Sequence, residues 1–416
     1  MSNNSEIRIP KPIDWESKLV NWLDLTFPEF CFQTGKGFQY PYDPFPDQAF
    51  GSFSKLTLAE AIPYYGKSDL VAMIAYDYKN EIEKLSSNNP TLIDLDSIIF
   101  FIPELRIEIG DKELHFKGKN CKMYSKAYLE YDSKPTTNPT VKVRRHSSVN
   151  DYTHSVRKIQ THILEGDVYE LNYCMGFSFD HTDWNPVQGF IDLMKTSPMP
   201  FSGIFKSGHK YLISASPERF LKKTGSRLYA QPIKGTIKRS ADLQEDIKLK
   251  DQLLASEKER AENLMIVDLM RNDMSKISEI GSVSVEELFG IYSFPRVHQM
   301  ISTVTSKIQE NLGLLELIHA TFPMGSMTGA PKIKCMELIE KYENFKRGWF
   351  SGSFGVFNAN GDFDLNVVIR SIVYDKEMGK GYFAVGSAIT YDADPAYEYQ
   401  ECLLKASAIL EILEGK

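Results

Sequence analysis

The segments GSFGVF (352–357), DLNVVIRSIVY (364–374) and GYFAVGSAIT (381–390) follow one another across short turns, each dominated by apolar and β-branched residues. They read as a pair of strands followed by a third. A turn at 392–395 then leads into a helix over 396–413. Working outward, 211–221 and 228–233 read as strands, 256–269 as a helix, and another helix follows Pro331. Strands in runs, separated by helices without regular strand–helix alternation, argue an α+β fold with antiparallel sheets. Asn150 and Asp151 can cap a helix in which Val156, Ile159 and Ile163 recur at helical spacing before Gly166. Further upstream, SIIFFIPELRIEI (97–109) reads as a strand pair or a strand bent around Pro103. The polar stretch DSKPTTNP (132–139) reads as a linker, dividing an N-terminal part, 1–140, from a second part, 141–416.

Composition narrows the function classes. The 416 residues are 42% hydrophobic, enough for a large core, and length alone suggests two or three domains. The net charge of -7 arises from 48 basic and 55 acidic residues mixed throughout, with no basic block to track a phosphate backbone, so nucleic acid is not an expected partner. The start lacks a basic segment followed by an apolar one, and no apolar run of about 18 residues occurs, so no membrane association and a cytoplasmic location are expected. Cys31, Cys121, Cys174, Cys335 and Cys402 are scattered and form no Cys-x-x-Cys pair, which argues reduced packing residues.

Several segments carry side chains suited to chemistry. Lys234 lies in Gln231-Pro232-Ile233-Lys234-Gly235-Thr236, where proline stiffens the chain before it and glycine frees the chain after it. To act as a nucleophile it must lose its proton, which requires a pKa well below the usual value of about 10.4. Glu398, Glu401 and Lys405 share one face of the last helix, and Glu262 lies on a second helix. Such carboxylates are either solvated or the one or two protein oxygens that Mg²⁺ takes beside substrate and water. The run Gly325-Ser326-Met327-Thr328-Gly329-Ala330-Pro331-Lys332 precedes a helix whose first turn would hold Pro331, leaving backbone N–H groups for a carboxylate. Arg370, within the apolar stretch 367–373, is either paired internally or kept for an anion. His298 is either structural or a ligand contact.

Taken in order, these blocks resemble the chorismate-utilising enzymes, a family that includes anthranilate, aminodeoxychorismate, isochorismate and salicylate synthases. The resemblance rests on Gly166-Asp167-Val168-Tyr169, Ala215-Ser216-Pro217-Glu218-Arg219, Pro232 to Thr236, KERAENLMIVDLMRND (258–273), Gly325 to Lys332, Arg370, Gly386 and the helix from Glu398 to Lys405. It implies one large α+β domain with two antiparallel sheets packed face to face and helices outside, residues 1–140 adding strands to the common core. It also implies Mg²⁺ held by Glu262 and Glu401 with Glu398 near it through water. Substrate carboxylates would meet Arg370 and Lys405, helped by Gly386 and by Ser326, Thr328 and Gly329, with Thr236 and His298 completing the substrate set. Glu218 would serve as general acid or base at the C4 hydroxyl of chorismate.

Two positions select the reaction that the resemblance implies. Isochorismate and salicylate synthases carry a lysine after Gly-Asp-x-Tyr to activate water, and here that place holds Glu170. Anthranilate synthases carry alanine in the middle of Pro-Ile-x-Gly-Thr and aminodeoxychorismate synthases carry lysine, which here is Lys234. The expected reaction is therefore attack of Lys234 on C2 of chorismate with loss of the C4 hydroxyl. Ammonia then adds at C4 and expels the lysine, giving 4-amino-4-deoxychorismate for 4-aminobenzoate and folate biosynthesis. No glutaminase-type Gly-x-Cys-x-Gly turn surrounds any cysteine, so a separate glutamine amidotransferase subunit is expected to supply ammonia. The alternatives are anthranilate synthase component I chemistry and a non-catalytic chorismate-binding subunit. Three positions depart from the family pattern: Phe350 stands where relatives show tyrosine, Val385 where they show glycine, and Glu170 where they show glutamine.

Overall fold

Pro217 divides the stretch 211–221 into two strands that belong to different sheets, Lys210–Ser216 and Arg219–Thr224. The computed structural model describes residues 6–134 and 136–415. The same switch between sheets occurs at 102–104, between Ile98–Phe101 and Leu105–Ile109, and at 367–370, between Phe363–Asn366 and Ser371–Asp375. Each of these stretches reads in sequence as one strand or a local pair. Apolar periodicity reports burial, and residues on both sides of a crossover are buried. Arg370 accordingly lies in the last of these crossovers, with φ of 53°, and not within a strand as its apolar neighbours suggest.

Among the described residues, all strand pairings are antiparallel and form two sheets of twelve and nine strands. The larger runs from Glu6–Pro10 at one edge, through Glu29–Thr34, Phe201–Ser207 and Lys210–Ser216, to Lys380–Ile389, Glu170–Asp180 and Gly329–Ala330. The smaller runs from Ile233–Lys238 and Val297–Lys307 to Leu70–Ile74 and Ile98–Phe101. Both sheets take strands from residues before 140 and after it. Outside residue 135, which is not described, the expected linker 132–139 carries neither helix nor strand.

Two apolar layers hold this arrangement together. One lies between the sheets and joins Phe205, Leu212 and Tyr382 of the larger to Val71, Ile301 and Leu365 of the smaller. The other lies between the outer face of the larger sheet and helices such as Val149–Leu164, Pro186–Thr196 and Pro395–Glu414, through residues such as Val156, Phe190, Phe383 and Ile409. Covering both faces explains why strands such as Phe201–Ser207 are buried along their whole length instead of alternating. Local signals set the helix ends. Ser148 and Asp151 form a reciprocal capping box, so the cap lies two residues before Asn150. Asp394 caps the last helix with Pro395 in its first turn, and Gly415 ends it in the left-handed conformation. No helix among the described residues is long and apolar enough to cross a membrane.

Candidate active site

The crossovers do more than connect sheets, because two of them deliver side chains into one cavity of about 940 Å³. Glu218 follows Pro217 directly, and its backbone is fixed on both sides: its N–H donates to Ser216 Oγ at 3.2 Å and its carbonyl accepts from the Val367 N–H at 3.0 Å. Arg219 next to it is fully buried and donates to Asp364 Oδ1 at 2.8 Å, which ties the turn to the neighbouring strand. Arg370 enters from the 367–370 crossover, and its strained backbone is held by the Ala215 N–H on its carbonyl. Lys234 projects from the strand Ile233–Lys238 just past Pro232, and Gly235 (φ 92°) leaves only 3.1 Å between a notional Cβ and Glu259 Oε2. Glu259 and Glu262 arrive from the helix Glu257–Ser275, while Glu398, Glu401 and Lys405 arrive from Pro395–Glu414.

The cavity thus gathers Lys234, Glu218, Glu262, Glu398, Glu401, Arg370, Lys405, Ser326, Thr236 and Gly386 from segments far apart in sequence. Three expected contacts lie elsewhere. His298 is buried outside the cavity lining, with Nδ1 at 2.8 Å from Ser293 Oγ and Nε2 at 3.1 Å from Asp246 Oδ1, so both ring nitrogens are already engaged. Thr328 is buried and donates to the carbonyls of Met324 and Gly325. Gly329 pairs with Leu171, where a Cβ would stand 2.1 Å from the Glu170 carbonyl, so close strand approach explains this glycine. Nor does the helix N-terminus after Pro331 line the cavity; Pro331 is its N-cap rather than its first residue, and Lys332 is paired with Asp273 at 2.5 Å.

Charge is distributed unevenly across the cavity. Lys258 bridges the two acidic helices, 3.3 Å from Glu398 Oε1 and 3.8 Å from Glu262 Oε1. Lys405 pairs with Glu401 at 2.5 Å and donates to the Gly386 carbonyl at 2.9 Å. Arg370 makes one long hydrogen bond, 3.4 Å to the Lys405 carbonyl. Burial lowers its pKa to about 10, against the pull of Glu401. A half-buried guanidinium with so little compensation is suited to an incoming anion. Burial pushes Glu218 up to about 7, opposed by the Ser326 hydroxyl and Lys234. It pushes Glu262 up to about 8, opposed by Lys234, and among the described residues Glu262 Oε1 has no hydrogen-bond partner. Burial also works against the charge on Lys234, yet Glu170, Glu262 and Glu218 outweigh it and hold the ammonium above its usual value. Lys234 Nζ donates to Glu170 Oε1 at 2.8 Å. The resting lysine is therefore a cation, the reverse of what attack requires.

Glu259 and Lys258 were not singled out by the sequence as parts of the site, and Glu170 was read only as a position that selects the reaction, not as the partner of Lys234. Glu259 lies one helical turn from Glu262, which was the signal available for it. With Glu259, four glutamates of the two acidic helices line the cavity, an oxygen-only donor set, and the buried Oε1 of Glu262 has no hydrogen-bond partner among the described residues. That chemistry fits a hard divalent cation such as Mg²⁺. A second grouping, His162, Glu165 and Asp167, has side-chain atoms within 4.8 Å of one another at the end of Val149–Leu164. Its histidine is already occupied by Asp167 at 2.7 Å and by the Tyr342 hydroxyl at 2.9 Å.

Fold and cavity together define a two-sheet α+β protein whose cavity sets Arg370 and Lys405 beside a group of glutamates. Residues 33–411 match the family described as chorismate binding enzyme. "Aminodeoxychorismate synthase component 1" of Klebsiella aerogenes is 34% identical over 361 residues, covering 85% of this chain and 78% of that protein. "Aminodeoxychorismate synthase" of Streptomyces griseus is 40% identical over 257 residues, covering 61% of this chain but only 35% of its own length. The fold is shared with the crystal structure of anthranilate synthase component I from Streptococcus pneumoniae TIGR4, at 23% identity and a TM-score of 0.76, covering 99% of this chain and 93% of that one. The chain belongs to the chorismate-utilising family of anthranilate and aminodeoxychorismate synthases.

Proposed function

We propose that the chain aminates chorismate at C4, yielding 4-amino-4-deoxychorismate through a covalent adduct on Lys234, in the route to 4-aminobenzoate and folate. The observation that carries this reading is the position of Lys234 in the cavity with Glu218, the two arriving from either side of a pair of proline-broken strands. Arg370 and Lys405 bind the carboxylates of chorismate. Glu262 and Glu401, with Glu398 beside them, would hold Mg²⁺, which when bound neutralises and orients the ring carboxylate. Glu218, with a pKa of about 7, is available as an acid near neutral pH and protonates the hydroxyl leaving from C4. Lys234 Nζ forms a bond to C2, the ring double bonds shift toward C4, and the C4–O bond breaks to release water. Ammonia then bonds to C4, the double bonds shift back, and the C2–N bond breaks to free the lysine. The pyruvyl enol ether stays on the ring. Ammonia comes from a separate glutamine amidotransferase subunit, and the names of the Klebsiella and Streptomyces relatives support the same activity.

Incubating the protein with chorismate, Mg²⁺ and ammonium and separating the products tests this. The expected outcome is 4-amino-4-deoxychorismate without pyruvate release, lost in Lys234→Ala. Anthranilate and pyruvate as main products would instead establish anthranilate synthase chemistry. Chorismate binding without turnover would establish a non-catalytic subunit.

A further inference from the structure

Lys234 and Glu170 are mutually buried and joined by a 2.8 Å hydrogen bond, the lysine side chain 11% and the glutamate side chain 1% exposed. Five carboxylates act on this amine electrostatically: Glu170 from the strand Glu170–Asp180, Glu259 and Glu262 from the helix Glu257–Ser275, Glu401 from the helix Pro395–Glu414, and Glu218 from the turn after Pro217. Among the described residues, Glu170 alone is in hydrogen-bond contact with it. Glu218 faces the leaving hydroxyl in the proposed reaction, Glu262 and Glu401 belong to the proposed metal-binding set, and Glu259 makes no hydrogen bond to the amine, so none of these four is placed to take the lysine's proton. Glu170 has no such assignment, and its second oxygen, Oε2, is buried without a hydrogen-bond partner among the described residues.

We infer that Glu170 is a catalytic base that takes the proton from Lys234 when chorismate enters and returns it when the lysine leaves. The inference rests on the Lys234 adduct proposed above. A buried ion pair is stable only while its charges compensate each other, and a dianionic substrate placed beside it disfavours the bare carboxylate. Moving the proton along the existing hydrogen bond gives a neutral amine and a neutral carboxylic acid, which a dry cavity favours over the charged pair. In the forward step the N–H bond of the ammonium breaks, the proton binds Glu170 Oε1, and the freed lone pair forms the bond to C2. When ammonia displaces the lysine, the electron pair of the C2–N bond returns to Nζ and Glu170 gives the proton back. No external acid, base or redox partner is needed. Glutamine at this position could hold the amine but could not accept its proton, so the glutamate gives this chain an internal acceptor.

The test follows adduct formation itself. Protein is mixed with chorismate and Mg²⁺ without ammonium, quenched at intervals and peptide-mapped by mass spectrometry. The wild-type peptide bearing Lys234 is expected to gain the mass of chorismate less one water. In Glu170→Gln the same adduct is expected to form about 100-fold more slowly, the lower end of general-base contributions, with chorismate affinity unchanged. Glu170→Asp, which keeps a carboxylate, is expected to recover part of the loss. Adduct formation in Glu170→Gln within threefold of wild type overturns the role of Glu170 and leaves the lysine reading intact. A Lys234 peptide that stays unmodified in wild type under these ammonium-free conditions overturns both. If the glutamine variant does not fold, Glu170→Ala with and without added formate decides the matter: acceleration by formate supports the base, and its absence contradicts it.

Discussion

Lys258 Nζ lies 3.3 Å from Glu398 Oε1, so an ammonium from one acidic helix is seated against a carboxylate of the other. The same ammonium is 3.8 Å from Glu262 Oε1, which makes it an internal counter-ion for the carboxylates assigned to Mg²⁺. A divalent cation entering there competes with it.

Removing that competitor strengthens metal binding. Lys258→Ala is expected to bind Mn²⁺, used as a paramagnetic substitute for Mg²⁺, several-fold more tightly by electron paramagnetic resonance titration. The gain is modest because Lys258 is 37% exposed and solvent screens its charge. Glu262→Gln is expected to weaken the same binding by at least tenfold. Equal affinities in all three proteins would remove these carboxylates from the metal site.

Burial of Glu218 and Glu262 makes stability depend on pH. Their folded pKa values, about 7 and about 8, lie above the unfolded value of 4.5, so the folded state binds more protons across that interval. Stability therefore falls as pH rises from the unfolded value through the folded ones. Without metal or substrate, the urea midpoint is expected to be higher at pH 5.5 than at pH 8.5. The difference should shrink in Glu218→Gln/Glu262→Gln, and saturating Mg²⁺ should reduce it in wild type. A wild-type midpoint that rises over this interval would contradict the assignment.

Arg370 illustrates a site built at some cost to stability. Its half-buried guanidinium has, among the described residues, one long hydrogen bond, to the Lys405 carbonyl, and its backbone is left-handed. Arg370→Leu is expected to raise the KM for chorismate by about 10- to 100-fold, the value of a charge-assisted hydrogen bond, while thermal stability stays the same or increases. A large loss of stability with unchanged KM would make this arginine structural.

The fold class and most of the cavity were legible in sequence for different physical reasons. Antiparallel α+β architecture follows from strands in runs, and Glu398, Glu401 and Lys405 follow from helical spacing. The crossovers at Pro217 and 367–370 were not legible, because burial between two sheets keeps the apolar pattern continuous while the chain changes sheet. Those breaks are what carry Glu218 and Arg370 to the cavity. His298 and Gly329 show the opposite limit: each has the residue type of a ligand contact, and each is used for packing, His298 by Asp246 and Ser293, Gly329 by the backbone of Glu170. The Lys234–Glu170 pair spans 64 residues and joins strands of different sheets, so no local pattern could reveal it.

Amination at C4 through Lys234 is tested by following chorismate, Mg²⁺ and nitrogen-15 ammonium with the wild-type protein and Lys234→Ala by nuclear magnetic resonance. Nitrogen-15 bonded to C4 of a ring that keeps its enolpyruvyl ether is expected from the wild type, and no such product from Lys234→Ala. Nitrogen-15 at C2 with released pyruvate, or C4 amination undiminished in Lys234→Ala, would contradict it.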